Sequence, residues 1–181
     1  MEKKIQTIAT LSTHSFSAAL DEVLLRDGKI GKRIKIDHPE ATAILPFVSD
    51  REILMVRQYR YALGRETLEI PAGKVDSGES REDCVRRELV EETGYETSRI
   101  EWLYTYAPAI GYSNELIHIF AGHDLKKIHK QIDEREISSV ETVSLEQAKA
   151  LIAEGAILDG KTLIGLSVMG FIDQPVKMSA F

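Results

Sequence analysis

The segment Gly73–Tyr95, GKVDSGESREDCVRRELVEETGY, constrains this chain more than any other stretch. Gly73 and Gly78 are positions where the backbone can turn in ways other residues resist. From Ser80 the sequence becomes rich in Glu and Arg. It predicts a helix from Ser80 to Val90, with Gly94 placed as the stop. On that helix Glu88 and Glu92 stand four apart, one turn above the other, and Glu91 stands three from Glu88. Carboxylates clustered in this way repel one another unless a cation sits among them. A hard divalent ion with oxygen ligands satisfies that demand, and Mg²⁺ is the usual one. Arg87 is placed to neutralise and orient part of the cluster, while Val85 and Leu89 face elsewhere and anchor the helix. Taken alone, an acidic helix face is more often solvated surface. The wider pattern has to decide between the two.

The rest of the chain sets the frame. At 181 residues, with 43% hydrophobic and 29% charged residues, it suits one soluble domain with a small appendage. Acids outnumber bases 29 to 23, for a net charge of −6. That balance argues against broad nucleic-acid binding and against an anionic membrane surface. The single cysteine, Cys84, excludes an internal disulfide and reads as a packed small hydrophobe. No apolar run is long enough to span a bilayer. Met1-Glu2-Lys3-Lys4 is not followed by an apolar signal core, so the expected location is cytoplasmic. The five histidines (His14, His38, His118, His123 and His129) show no ligand spacing.

Residues 1–40 read as β-structure, with a hairpin turning at Asp27-Gly28. The apolar faces of this arm are thin, so it is expected to lean on the main domain or on a second subunit. Strands are expected at Ala41–Val48, Glu52–Tyr59, Leu68–Ile70, Ile100–Ala107, Leu116–Ala121 and Val140–Val143. Ser144 is placed to cap a helix through Ala153, with Gln147 at the capping-box position. Thr162–Ile172 reads as a last helix weakened by Gly165 and Gly170. The fold class is α/β: a mixed sheet with helices on its faces, preceded by an N-terminal β arm.

The full spacing of the key segment is Gly-x5-Glu-x7-Arg-Glu-U-x-Glu-Glu-x-Gly-U, where U is a bulky apolar residue. It resembles the Nudix box. Gly73, Glu79, Arg87, Glu88, Glu91, Glu92 and Gly94 fill all seven fixed positions. Leu89 fills the first U position, and Tyr95 fills the second in place of an aliphatic residue. Chance alone gives such a match with odds of roughly 10⁻⁸ per start position at ordinary residue usage. The resemblance implies a Nudix hydrolase with an α/β/α sandwich, which cleaves nucleoside diphosphate derivatives with divalent metal and water. It implies Glu88 and Glu92 as metal ligands, Glu91 supporting them, Arg87 orienting the glutamates and Glu79 in a structural role. The cofactor implied is Mg²⁺, with Mn²⁺ as a substitute.

The flanks resemble the ADP-ribose pyrophosphatase branch of that family. Upstream are Val56-Arg57-Gln58-Tyr59-Arg60 and Leu68-Glu69-Ile70-Pro71-Ala72-Gly73. The branch implies that Arg60 grips the diphosphate, a task suited to a guanidinium fork. Arg57 and Glu69 join it as candidate substrate contacts, and the Ala72 carbonyl as a metal ligand. Downstream, counting back from Ser144, Glu134 falls where the branch has a water-activating base and Glu136 where it has a further metal ligand. An ordinary acidic loop is the competing reading of Asp133-Glu134-Arg135-Glu136.

The branch's usual Ser-Pro-Gly is replaced here: Ile110 stands at the proline position, and Pro108 lies two earlier, while Gly111 and Glu115 keep their places. Glu115 is therefore a candidate for substrate or metal contact. The tail Asp159-Gly160-Lys161-Thr162 is similar to both ADP-ribose and GDP-mannose hydrolases and does not discriminate between them. Phe16 and Phe47 are candidates to stack a base, although a strand aromatic is more often core. In related enzymes an N-terminal arm such as residues 1–40 helps form a homodimer. The domain expected over 41–181 then acts on ADP-ribose, giving AMP and ribose 5-phosphate. The alternatives are another nucleoside diphosphate derivative, such as GDP-mannose or a dinucleotide, and a non-catalytic nucleotide-sugar sensor.

Overall fold

Ala41–Val48 and Glu52–Tyr59 are apolar on both faces for most of their length, the pattern of strands covered from two sides. In the computed structural model they form β4 (Ala41–Ser49) and β5 (Glu52–Arg60), and both are central. The structure describes residues 1–128, 132 and 135–172. It divides into two units, residues 1–40 with 106–116 and residues 41–105 with 117–181.

The first unit holds a three-stranded sheet of β1 (Lys3–Ser12), β2 (Ser17–Leu24) and β3 (Ile30–Asp37). Adjacent strands run antiparallel. The expected hairpin about Asp27-Gly28 is present, with Gly28 in the left-handed region at φ 83°. Strand β1 falls within the stretch expected as β-structure, but its bounds had no sequence marker: all ten of its residues are exposed, so it has no half-buried alternation. Residues 106–116 return to this sheet. Ile36 N–H donates to the Tyr112 carbonyl at 2.7 Å.

The second unit is built on a seven-stranded mixed sheet. It adds β6 (Arg65–Glu69), β7 (Ala72–Lys74), β8 (Tyr95–Tyr106), β9 (Ile117–Lys127) and β10 (Ile137–Ser144). The order is β10-β5-β4-β9-β8, with β6 paired to β5 and β7 to β4. β4 and β9 are parallel, whereas β5 runs antiparallel to β4, β6 and β10. Helix α1 (Arg81–Thr93) lies on one face, where Val85 and Leu89 pack with Ile44 and Phe120. Helix α3 (Gly160–Val168) lies on the other, where Gly165 sits against Leu45 and Ile119. Side chains alternate along β4, so Ile44 and Leu45 serve opposite layers. This is the expected α/β/α sandwich. Helix α2 (Leu145–Ala153) packs on β10 and starts with the expected capping box of Ser144 and Gln147. Helix α3 ends sooner than expected, at Val168, because Gly170 takes a left-handed φ of 74° just beyond it.

Candidate active site

Helix α1 begins where Ser80 accepts a hydrogen bond from the Asp83 N–H at 3.0 Å. It ends where Gly94, at φ 72°, donates to the Val90 carbonyl. Both caps are local, and together they fix which residues face the sheet. Cys84, Val85 and Leu89 are fully buried. That leaves Arg87, Glu88 and Glu91 along one flank, and Glu92 turned inward with 7% exposure.

Arg87 organises the flank. Its Nε and Nη2 form a fork on Glu79 at 2.8 and 2.9 Å, and its Nη1 reaches Glu88 at 2.6 Å and Glu91 at 3.2 Å. Nη2 also donates to the Lys74 carbonyl. The guanidinium holds the Glu79 carboxyl down at about 2, and the surrounding carboxylates push the arginine further up. Gly73 has a separate role. A Cβ at this position would fall within the Glu88 carboxylate, so any side chain here would push that carboxylate out of its place. β7 pairs Gly73 with Thr42, which keeps the approach close.

Glu88 and Glu92 differ from Glu79. Burial pushes the Glu88 carboxyl up. Burial raises Glu92 to about 8, and the neighbouring Glu88 charge adds to this although the Ala72 N–H donates to Glu92 at 2.9 Å. Two desolvated carboxylates beside a backbone peptide form an all-oxygen donor set, which fits a hard divalent cation. Among the described residues, no group of three His, Cys, Asp or Glu side chains is arranged to hold an ion. An ion seated there would need oxygens from backbone, water or substrate as well. Mg²⁺ commonly binds that way, through one or two carboxylates. Glu136 is exposed in the turn before β10, and Glu134 lies outside the described residues.

A second charged group sits at the end of β5 and β6. Arg60 forks onto Glu69 at 2.7 and 2.6 Å. Thr67 Oγ1 also donates to Glu69 at 2.5 Å, and Lys161 Nζ donates to it from α3. Lys161 in turn lies 3.2 Å from Asp159. These cations pull Glu69 down to about 2 although it is 2% exposed. Arg60 and Lys161 also act electrostatically on Glu92, so the two groups share one electrostatic environment. Glu69, a candidate substrate contact by sequence, accepts from Arg60, Thr67 and Lys161 in this structure and so braces Arg60. Lys161 belongs to the Asp159-Gly160-Lys161-Thr162 tail, and no local sequence signal pairs it with Glu69.

Arg57 does not join Arg60. Three positions apart on a strand, the two face opposite sides, and Arg57 pairs with Glu141 of β10 at 2.8 Å. Gln58 shares the Arg60 face, and its Nε2 is buried without a hydrogen-bond partner among the described residues. Phe47 is 6% exposed and stacks on His123 with centroids 5.1 Å apart, which makes it a core residue rather than an open platform. Cys84 is buried beside Thr42, and burial pushes its thiol up to about 11. In the first unit, Glu115 lies 3.4 Å from His38, and Phe16 is tilted against His38.

A NUDIX domain family model matches residues 37–163. The chain is 36% identical over 170 residues to a methanol dehydrogenase activator of Bacillus methanolicus, covering 93% of this chain and 92% of that one. It is 33% identical over 170 residues to an ADP-ribose pyrophosphatase of Bacillus subtilis (strain 168), with the same coverage. It is 35% identical over 133 residues to a GDP-mannose pyrophosphatase of Yersinia enterocolitica, covering 68% of this chain and 69% of that one. A crystal structure of an ADP compounds hydrolase superposes with a TM-score of 0.77 over 94% of this chain and 95% of that chain, at 20% identity. That likeness shows the fold.

Proposed function

The chain belongs to the Nudix hydrolase family, and from that premise we propose that it hydrolyses the pyrophosphate bond of ADP-ribose with Mg²⁺, giving AMP and ribose 5-phosphate. The observation that carries this reading is the contrast within the site. Glu92 is a buried carboxylate with a backbone N–H as donor, Glu88 beside it is partly buried and shares the Arg87 guanidinium, and Arg60 is forked onto Glu69. Such a pair favours a cation, and such a guanidinium favours phosphate oxygens. Glu88, Glu92 and the Ala72 carbonyl would hold the ion. When bound, the ion neutralises the diphosphate and lowers the pKa of an attacking water. Arg87 fixes the glutamates, with Glu91 and Glu79 supporting it. Glu134 is the candidate base, and Glu136 a further oxygen donor. The ADP-ribose assignment is supported by a relative matched over nearly the whole chain, where the GDP-mannose relative matches about two thirds.

The test is product analysis by chromatography on ADP-ribose, GDP-mannose and a dinucleotide, each with Mg²⁺, Mn²⁺ or a chelator. The expected outcome is AMP and ribose 5-phosphate, dependent on metal, with ADP-ribose first by kcat/KM. A higher kcat/KM for GDP-mannose would overturn the substrate. A second reading is favoured by the name of the 36% identical relative: the same hydrolysis serving to activate a partner dehydrogenase. The active unit is proposed to be a homodimer. Ile5, Ile8 and Leu11 of the otherwise largely polar β1 are about half exposed or more, apolar side chains that a second copy would cover. Light scattering giving a monomer mass would reject that.

A further inference from the structure

We propose that Lys161 is a positioning residue, which aims Arg60 at the diphosphate by way of Glu69. The inference rests on the reading of Arg60 as the diphosphate grip. The Lys161 side chain is 7% exposed and that of Glu69 3%. A lysine buried so deeply persists only when paired. Its partner is 92 residues away in the chain.

The geometry at Glu69 explains what the pairing does. The last torsion of a glutamate is soft, so neighbouring donors set the plane of its carboxylate. Here Oε1 accepts from Arg60 Nε and Thr67 Oγ1, while Oε2 accepts from Arg60 Nη2 and Lys161 Nζ. These four donors use the roughly four lone-pair sites a carboxylate has. One plane satisfies them all, and the fork transfers that plane to the Arg60 guanidinium.

The first turn of α3 makes a second tie to the same place. Thr162 Oγ1 accepts from the Ile70 N–H at 3.0 Å and donates to Asp159 at 2.7 Å. Asp159 caps α3 and also flanks Lys161. Glu69 and Ile70 are thus registered against α3 by one charged and one neutral bond. Among the described residues Lys161 is the only donor to Oε2 from outside β5, and without it Glu69 keeps only the Arg60 fork and Thr67, so carboxylate and fork can turn together.

Two variants test this: Lys161→Met, and the charge-balanced Lys161→Met/Asp159→Asn, which keeps a competent cap. Both are checked for folding by circular dichroism. In the ligand-free protein, the Arg60 Nε–Hε resonance, assigned through Arg60→Lys, is expected to move toward the position of a free arginine. With ADP-ribose and Mg²⁺, kcat/KM is expected to fall about tenfold, mainly through KM. In an Arg60→Ala background the same change is expected to cost no more than about twofold, because the two residues act as one unit. An unmoved Arg60 resonance in a folded variant, or losses that multiply in the double background, would overturn the proposal. Should the wild type turn over no diphosphate at all, the proposed function fails, and the resonance alone decides the role of Lys161.

Discussion

Glu69 and Glu92 are both nearly buried, at 2% and 7% exposure, yet their carboxyls move in opposite directions. Glu69 is held near 2, and Glu92 is raised to about 8. Burial penalises the charged form of both. The difference lies in partners. Glu69 is surrounded by Arg60, Lys161 and Thr67, whereas Glu92 receives one backbone N–H and faces the like charge of Glu88. One carboxylate is neutralised by protein cations; the other has a backbone donor and a like charge beside it. On the proposed function, that contrast separates a rigid support from the place where an ion would sit.

The largest expected effect breaks the comparison on the open side. Glu92→Gln is expected to lower hydrolysis by about three orders of magnitude, since loss of an ion site forfeits several kcal/mol of transition-state stabilisation. Comparable turnover by the variant and the wild type would sink the ligand assignment. In metal-free buffer at neutral pH the same variant is expected to melt higher than wild type, because folding no longer has to protonate a carboxyl raised to about 8.

The same chemical change on the closed side should do the reverse. Glu69→Gln faces Arg60 and Lys161 with a neutral amide, and breaking a buried pair in this way costs about 3 kcal/mol, read by urea unfolding. Gly73→Ala probes the space rather than the charge. Displacing the Glu88 carboxylate by about 1 Å is expected to cost ~10²-fold in kcat/KM with little change in fold.

The two carboxylates also divide the pH scale. Glu69 has a folded value below its ordinary 4.5, so its contribution is complete above 4.5 and is lost as pH falls toward about 2. Glu92 has a raised folded value, so stability falls as pH rises from 4.5 to about 8. Melting temperatures in a chelator should therefore decline at both ends. Mg²⁺ should restore the alkaline end alone, through binding to the native state. An equal Mg²⁺ effect at pH 3 and pH 8 would contradict the division. The smallest effect concerns an orphan near the support. Gln58→Met removes an unpartnered buried donor at similar shape, and is expected to raise stability by about 1 kcal/mol.

What the sequence by itself determined is what neighbours along the chain decide. The α1 caps at Ser80 and Gly94, the capping box at Ser144 and Gln147, and the spacing of Arg87, Glu88, Glu91 and Glu92 depend on residues within a turn or two. Periodicity and cap chemistry read such features directly. The β character of residues 1–40 was legible, but the bounds of β1 were not, because an all-exposed strand has no buried face to mark them. Only the tertiary structure joined Lys161 to Glu69, paired Arg57 with Glu141, stacked Phe47 on His123 and put the Glu88 carboxylate where a Gly73 side chain would be. Those facts come from strand register and from contacts across as many as 92 residues. The free energy that selects them is shared over the whole packed core, so no short segment carries it.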